Sequence, residues 1–113
     1  MSYAYLASPY SHPDAIMQES RFHAVSVAAG ALMQRGEIVF SPICHCHPIA
    51  EVCNLRGDAG YWAEFNRTFL TGAAFLYVLQ LPGWDASDGV AFEMGLAREL
   101  KLSIKFLSKD FGR

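Results

Sequence analysis

Charge is scarce in this chain and nearly balanced. Nine lysines and arginines stand against 11 aspartates and glutamates, a net of −2, so there is no basic footprint for DNA, RNA or an anionic membrane. Polymeric nucleic acid and membrane surfaces are therefore not expected as partners, while small anions remain open to it through local groups. No apolar run approaches the roughly 18 residues that a membrane span needs. No basic segment precedes an apolar one near the N-terminus, as a secretory signal would require. The cysteines are few: Cys44, Cys46 and Cys53 fall in one short region, an odd and badly spaced set for a disulfide framework. A reducing cytoplasm is the expected compartment. Internal repeats, linkers and low-complexity tracts are also lacking. The apolar content is substantial, 52% of 113 residues, which suits one core in a single domain over residues 1–113.

Strands and helices alternate. Tyr3 to Ala7 is a short aromatic-rich strand ending at Ser8-Pro9,. Ser11 is a candidate helix cap, with Pro13 in the first turn. Phe22, Val25, Ala29 and Leu32 recur on one helical face up to Arg35, where Gly36 ends the helix,. Ile38 to Phe40 is a second strand. Ile43 to Gly60 has no sustained period and contains Pro48, Gly57 and Asp58, so a long loop is expected, with at most a helical turn around Ile49 to Val52. Tyr61 to Thr71 reads as a helix with Trp62, Phe65, Phe69 and Leu70 toward the core. Ala74 to Leu79 is the strongest buried strand, Val90 to Leu100 a further helix, and Ser103 to Leu107 a fourth strand,. Connections too long for hairpins make this a three-layer α/β fold, a flavodoxin-like (Rossmann-like) parallel sheet with helices on both faces.

In such a sheet the ligand crevice lies beyond the carboxyl ends of the strands. The loops starting at Ser8, Ser41 and Pro82 leave that edge. They are expected to bring Tyr10, His45, His47, Trp84, Asp85, Ser87 and Asp88 toward one cleft with the Glu93 helix. Ser87, Asp88 and Gly89 stand where a helix N-terminus can receive an anion, although a capping role alone also explains Ser87 or Asp88. Glu93, between Phe92 and Met94, is the conspicuous acid. A carboxylate in a cleft can attack a sugar carbon or stabilise an oxocarbenium ion; the plainer reading is a solvated helix position or a partner for Arg98 or Lys101. Tyr5 is a strand tyrosine whose hydroxyl can reach that cleft or simply pack. Asn66 offers a donor and an acceptor to a base, or faces solvent.

The Cys44-His45-Cys46-His47 run invites a zinc assignment. In extended chain its cysteines face one side and its histidines the other, so no metal is expected there, nor any cofactor. Histidines lining a substrate loop, or facing solvent without a role, are the readings left open. Cys46 and Cys53 are expected as small buried apolar residues.

Tyr5-Leu-Ala-Ser-Pro-Tyr10, Val39-Phe-Ser-Pro-Ile43 followed by His45 and His47, and Leu81-Pro-Gly-Trp84 with Ser87, Gly89 and Glu93 together resemble a family of small uncharacterised proteins related to the nucleoside 2-deoxyribosyltransferases. The resemblance spans nearly the whole chain and is most specific from Leu81 to Glu93. It implies cleavage of the N-glycosidic bond of a deoxynucleoside or deoxynucleotide, with Glu93 as nucleophile, Tyr5 orienting it, and Ser87 and Gly89 holding the 5′ side of the sugar or its phosphate. Ser8, Tyr10, His45, His47, Asn66, Trp84, Asp85 and Asp88 complete the expected substrate site. The chain departs from the family pattern at Asn66 and Ala74, where aspartates are frequent, and at Ala91, where a glycine is common. Base protonation would then need another donor, His45 or His47. The alternatives to an N-glycosidase or deoxyribosyltransferase are a nucleotide-binding domain of the same fold without turnover, and an interaction protein docking through the Trp84 loop. A homo-oligomer is expected from the small sheet and the resemblance.

Overall fold

The computed structural model describes residues 2–55 and 59–113. The run Phe75-Leu-Tyr-Val-Leu79 is apolar at every position because its strand is covered on both faces; β3 (Phe75–Gln80) is fully buried from Leu76 to Leu79. It lies between β1 (Ala4–Ala7) and β4 (Ile104–Ser108), while β2 (Val39–Phe40) pairs with the other side of β1. The result is a parallel sheet of order β2-β1-β3-β4. The chain thus moves one way along the sheet from β1 to β2 and the other way from β2 through β3 to β4. Right-handed crossovers then require helices on opposite faces. That is what the core contains: α1 (Ala15–Gln34) packs Val25, Ala28 and Leu32 with Leu6 and Leu79. On the other face Leu70 of α3 (Ala59–Thr71) and Val90, Leu96 and Ala97 of α4 (Asp88–Glu99) pack with Tyr5, Leu76 and Val78. The three-layer flavodoxin-like α/β arrangement is therefore present, and its strand order reverses between β1 and β3, where such sheets open a crevice.

The expected loop from Ile43 is instead a helix, α2 (Pro42–Cys53). Ser41 caps it by accepting from the Cys44 amide at 3.2 Å, Pro42 occupies its first position, and Asn54 ends it in the left-handed region at φ 50°. These end signals define the helix although Pro48 lies inside it and its histidines and cysteines are weak helix formers. Gly57 and Asp58, also expected in that loop, lie outside the described residues. The cap of α1 is Asp14, which accepts from the Ile16 amide at 2.9 Å, and Ser11 has no capping role. Pro13 precedes that cap, so α1 starts later than expected. Gly36 ends α1 as expected, at φ 85°, a conformation that glycine adopts without a Cβ penalty. Trp62, Phe65 and Phe69 are only half-buried, forming an aromatic strip along α3, whereas Leu70 is fully enclosed. Cys46 is half-buried and Cys53 exposed, so neither is the enclosed apolar residue expected. Among the described residues no helix is long and apolar enough to cross a membrane.

If Ser41 starts α2 as described, Ser41→Ala lowers unfolding stability by about 1 kcal/mol and Ser41→Asp by less. Leu79→Ala, at a fully enclosed site, lowers it by about 2–5 kcal/mol. Urea denaturation measures both; a neutral Ser41→Ala would contradict the capping role.

Candidate functional site

β1 carries Tyr5 on the face toward α3 and α4, in register with Phe40 on one side and Leu76 on the other. Glu93 lies in the second turn of α4, on the stripe with Val90, Leu96 and Ala97 that faces the sheet. This helix position, not any charge partner, takes the carboxyl inside: Glu93 is only 4% exposed, and no ion pair reaches it among the described residues. The Tyr5 hydroxyl donates to Glu93 Oε2 at 2.5 Å. Burial raises the Glu93 carboxyl from 4.5 to about 7, and the bond from Tyr5 offsets only part of that rise,. Tyr5 itself is pushed well above the usual phenol range, first by burial and then by the neighbouring Glu93, so it stays a neutral donor. The expected alternatives of a solvated Glu93 or a pairing with Arg98 or Lys101 do not hold.

Among the described residues, two buried polar atoms have no hydrogen-bond partner, Ser8 Oγ just after β1 and Asn66 Oδ1 on α3. Such an atom costs about 1–3 kcal/mol unless something satisfies it. Asn66 therefore does not face solvent through its amide oxygen. α3 and α4 pack side by side, with Arg67 over the Phe92 ring at 5.5 Å.

The remaining expected residues fall into separate groups. Trp84, Asp85 and Ser87 line a cavity of about 230 Å³ on the adjoining flank of α4, with Val90, Ala91, Met94 and Arg98; Glu93 does not line it. Ser87 caps α4 by accepting from the Val90 amide at 3.2 Å, and Asp88 and Gly89 lie exposed in the first turn. Trp84 packs on Phe106 at 5.6 Å. The two histidines part company because α2 is a helix, where neighbours two apart point away from each other. His45 is exposed against Phe65 and Phe40. His47 is buried on the α1 side, stacked on Phe22 at 4.2 Å, with Tyr10 Oη 2.5 Å from its Nδ1. Its Nε2 is 2.8 Å from Glu19 Oε2 and 2.8 Å from Glu51 Oε1. Glu19 and Glu51 were missed in the sequence. The His47–Glu51 pair has four-residue helical spacing, but reading it required recognising α2; Glu19 had no local signal. The sequence offers Arg98 only as a partner for Glu93, whereas its spacing from Ser87, Ala91 and Met94 marks the cavity flank,.

Burial of Glu93 has a measurable consequence. Unfolded, the carboxyl titrates near 4.5; folded, at about 7. Below 4.5 both states hold the proton, and no penalty exists. Between 4.5 and 7 the folded state retains a proton that the unfolded chain has lost, so this group's contribution to stability falls as pH rises through that window,. Above it the penalty is constant at about 3 kcal/mol, since each unit corresponds to about 1.4 kcal/mol. Glu93→Gln keeps an acceptor for Tyr5 and removes the charge. It is expected to exceed wild type by about 3 kcal/mol near pH 8 and to lose most of that advantage near pH 4; a difference independent of pH would count against the buried titration.

A family model described as a domain of unknown function, DUF1937, matches residues 2–108. No curated protein matches the chain.

Proposed function

The chain belongs to the DUF1937 family, whose description assigns no chemistry, and from the site itself we propose an N-glycosidase or 2-deoxyribosyltransferase-like enzyme acting on deoxynucleosides or deoxynucleotides. The observation that carries this reading is the enclosed carboxyl of Glu93 held by the neutral Tyr5 hydroxyl beside the sheet's reversal between β1 and β3. A carboxylate placed at that structural expense, without an ion partner among the described residues, suits a reactive acid. The resemblance of Leu81 to Glu93 to the deoxyribosyltransferase-related proteins supports the same assignment.

In the proposed reaction Oε1 of ionised Glu93 attacks the anomeric carbon, while Tyr5 holds Oε2 and fixes the carboxylate plane. The bond from that carbon to the base nitrogen breaks, and its electron pair leaves with the base. Water, or the nitrogen of a second base, then displaces Glu93 from the glycosyl ester and restores the carboxylate, and the proton it loses is the one the departed base takes up. Asn66 is the candidate partner for the base through its buried amide oxygen. The cavity of Trp84, Asp85 and Ser87, with the α4 N-terminus and Arg98, suits the anionic 5′ side of a nucleotide,. Because Glu93 is enclosed in the free chain, substrate must uncover it from the carboxyl edge of the sheet.

The test is incubation of the purified chain with a panel of deoxynucleosides and deoxynucleoside monophosphates, following free base. Glu93→Gln is expected to reduce turnover by at least about 10³-fold, and Tyr5→Phe by about 10²-fold. The wild-type rate is expected to rise with pH through about 7 as Glu93 ionises. Equal inertness of wild type and Glu93→Gln, with nucleotide binding retained in calorimetry, would replace the enzyme reading by a binding domain. Asn66, which has no carboxyl proton to give a leaving base, is the observation that favours that second reading.

A further inference from the structure

We propose that Glu19, His47 and Glu51 form a site for a divalent transition-metal ion, clamping α1 to α2 on the side of the sheet away from Glu93. Glu51 follows His47 by one helical turn, so both present their polar atoms on the same stripe of α2, and Glu19 reaches them from α1,. The three ligand atoms lie within 4.8 Å of one another. Ligands held about 2.0–2.2 Å from a shared ion are separated by about 3–4 Å, so small side-chain adjustments accommodate one.

The charge arrangement favours a cation over the hydrogen bonds alone. His47 Nε2 faces a carboxylate oxygen on each of two sides, at 2.8 Å from both. It holds at most one proton, which can be directed well at only one of them. A divalent ion between the three atoms satisfies both carboxylates and the imidazole lone pair together. The surroundings of the ring fit a metal ligand. Phe22 stacks on it with an interplanar angle of 24°, and Tyr10 Oη sits on Nδ1. With the ion on Nε2, Nδ1 retains the proton and donates it to Tyr10, the kind of outer partner that fixes tautomer and ring plane around ligating histidines. His47 is 6% exposed while Glu19 and Glu51 are 59% and 61% exposed, so the inner ligand is fixed and the outer side admits water to complete the coordination. One imidazole nitrogen and two carboxylate oxygens suit zinc, manganese or iron(II) better than calcium or magnesium, which take oxygen ligands. These ligands differ from the Cys44-to-His47 run considered from the sequence, of which only His47 takes part.

The test is calorimetric titration of the chelator-treated full chain with zinc chloride and, separately, with magnesium chloride, alongside thermal melts with and without zinc. Wild type is expected to bind one zinc with a Kd at or below about 10 μM, to melt higher with zinc, and to bind magnesium at least about 10-fold more weakly. Glu19→Gln and Glu51→Gln, at half-exposed positions that tolerate the change, are each expected to weaken zinc at least about 10-fold, and His47→Ala to abolish it. A variant with Cys44, Cys46 and Cys53 all changed to serine is expected to keep wild-type affinity. The proposal is overturned if wild type binds no zinc, if the glutamine variants bind as wild type does, or if binding disappears with the cysteines.

Discussion

One proton lies between Tyr5 and Glu93, and the placement of every layer on that side of the molecule bears on it. The hydrogen bond joins residues 88 positions apart, the second residue of the first strand and the second turn of the last helix. It forms only because β1 is flanked by β2 and β3 in a register that turns Tyr5 and Ala7 toward α3 and α4, and Ala4 and Leu6 toward α1. A strand's side chains alternate, so a shift of one residue in β1 would set Leu6 against the carboxyl and leave Tyr5 among the aliphatic contacts of α1. The apolar packing of the sheet thus fixes the position of a polar pair that itself opposes folding at neutral pH. A core that accepts such a penalty at one residue points to use of that residue, because a leucine or glutamine there would fold more easily.

The two faces of the sheet have different chemistry. Toward α3 and α4 lie the enclosed acid, the amide oxygen of Asn66, which has no hydrogen-bond partner among the described residues, and the aromatic strip from Phe40 through Phe69 and Phe65. Toward α1 and α2 lies the imidazole of His47 with its two carboxylates and Tyr10. The Cys46 thiol adds a small part to the upward shifts of both the Tyr5 and the Tyr10 hydroxyls, in which burial is the largest cause. Anything that orders α2 against α1 therefore also holds the chain leaving β1 through Tyr10. The acid belongs to the face covered by α3 and α4, and the histidine cluster joins α2 to α1.

Much of the architecture could be read in advance because the signals were local. The unbroken apolar run of β3, the Gly36 stop and the Ser87 cap each depend on a few adjacent residues, and each stands where expected. Glu93 was conspicuous because it interrupts an apolar helix face. α2 was not legible: Pro48 and the cysteine and histidine run obscure a helical period, and the cap and first-turn proline at Ser41-Pro42 read equally well as a strand stop. That error carried into the site. A long loop over 43–60 lets His45 and His47 share one cleft, whereas the helix over 42–53 sends them to different surroundings. The pairings of His47 with Tyr10 and Glu19 span 37 and 28 residues, and no local pattern announces contacts between separate elements. The closure of Glu93 was hidden for the same reason, since burial of an acid depends on what the other layers bring over it.

The nucleophilic role proposed for Glu93 distinguishes a reactive carboxylate from a merely buried acid. It is tested most directly by acid-quenching the chain during turnover of a deoxynucleoside and mapping the peptides by mass spectrometry. A deoxyribosyl adduct is expected on the peptide containing Glu93, formed as free base appears and absent in Glu93→Gln. Base release with the adduct on another residue, or an adduct that persists in Glu93→Gln, would contradict it.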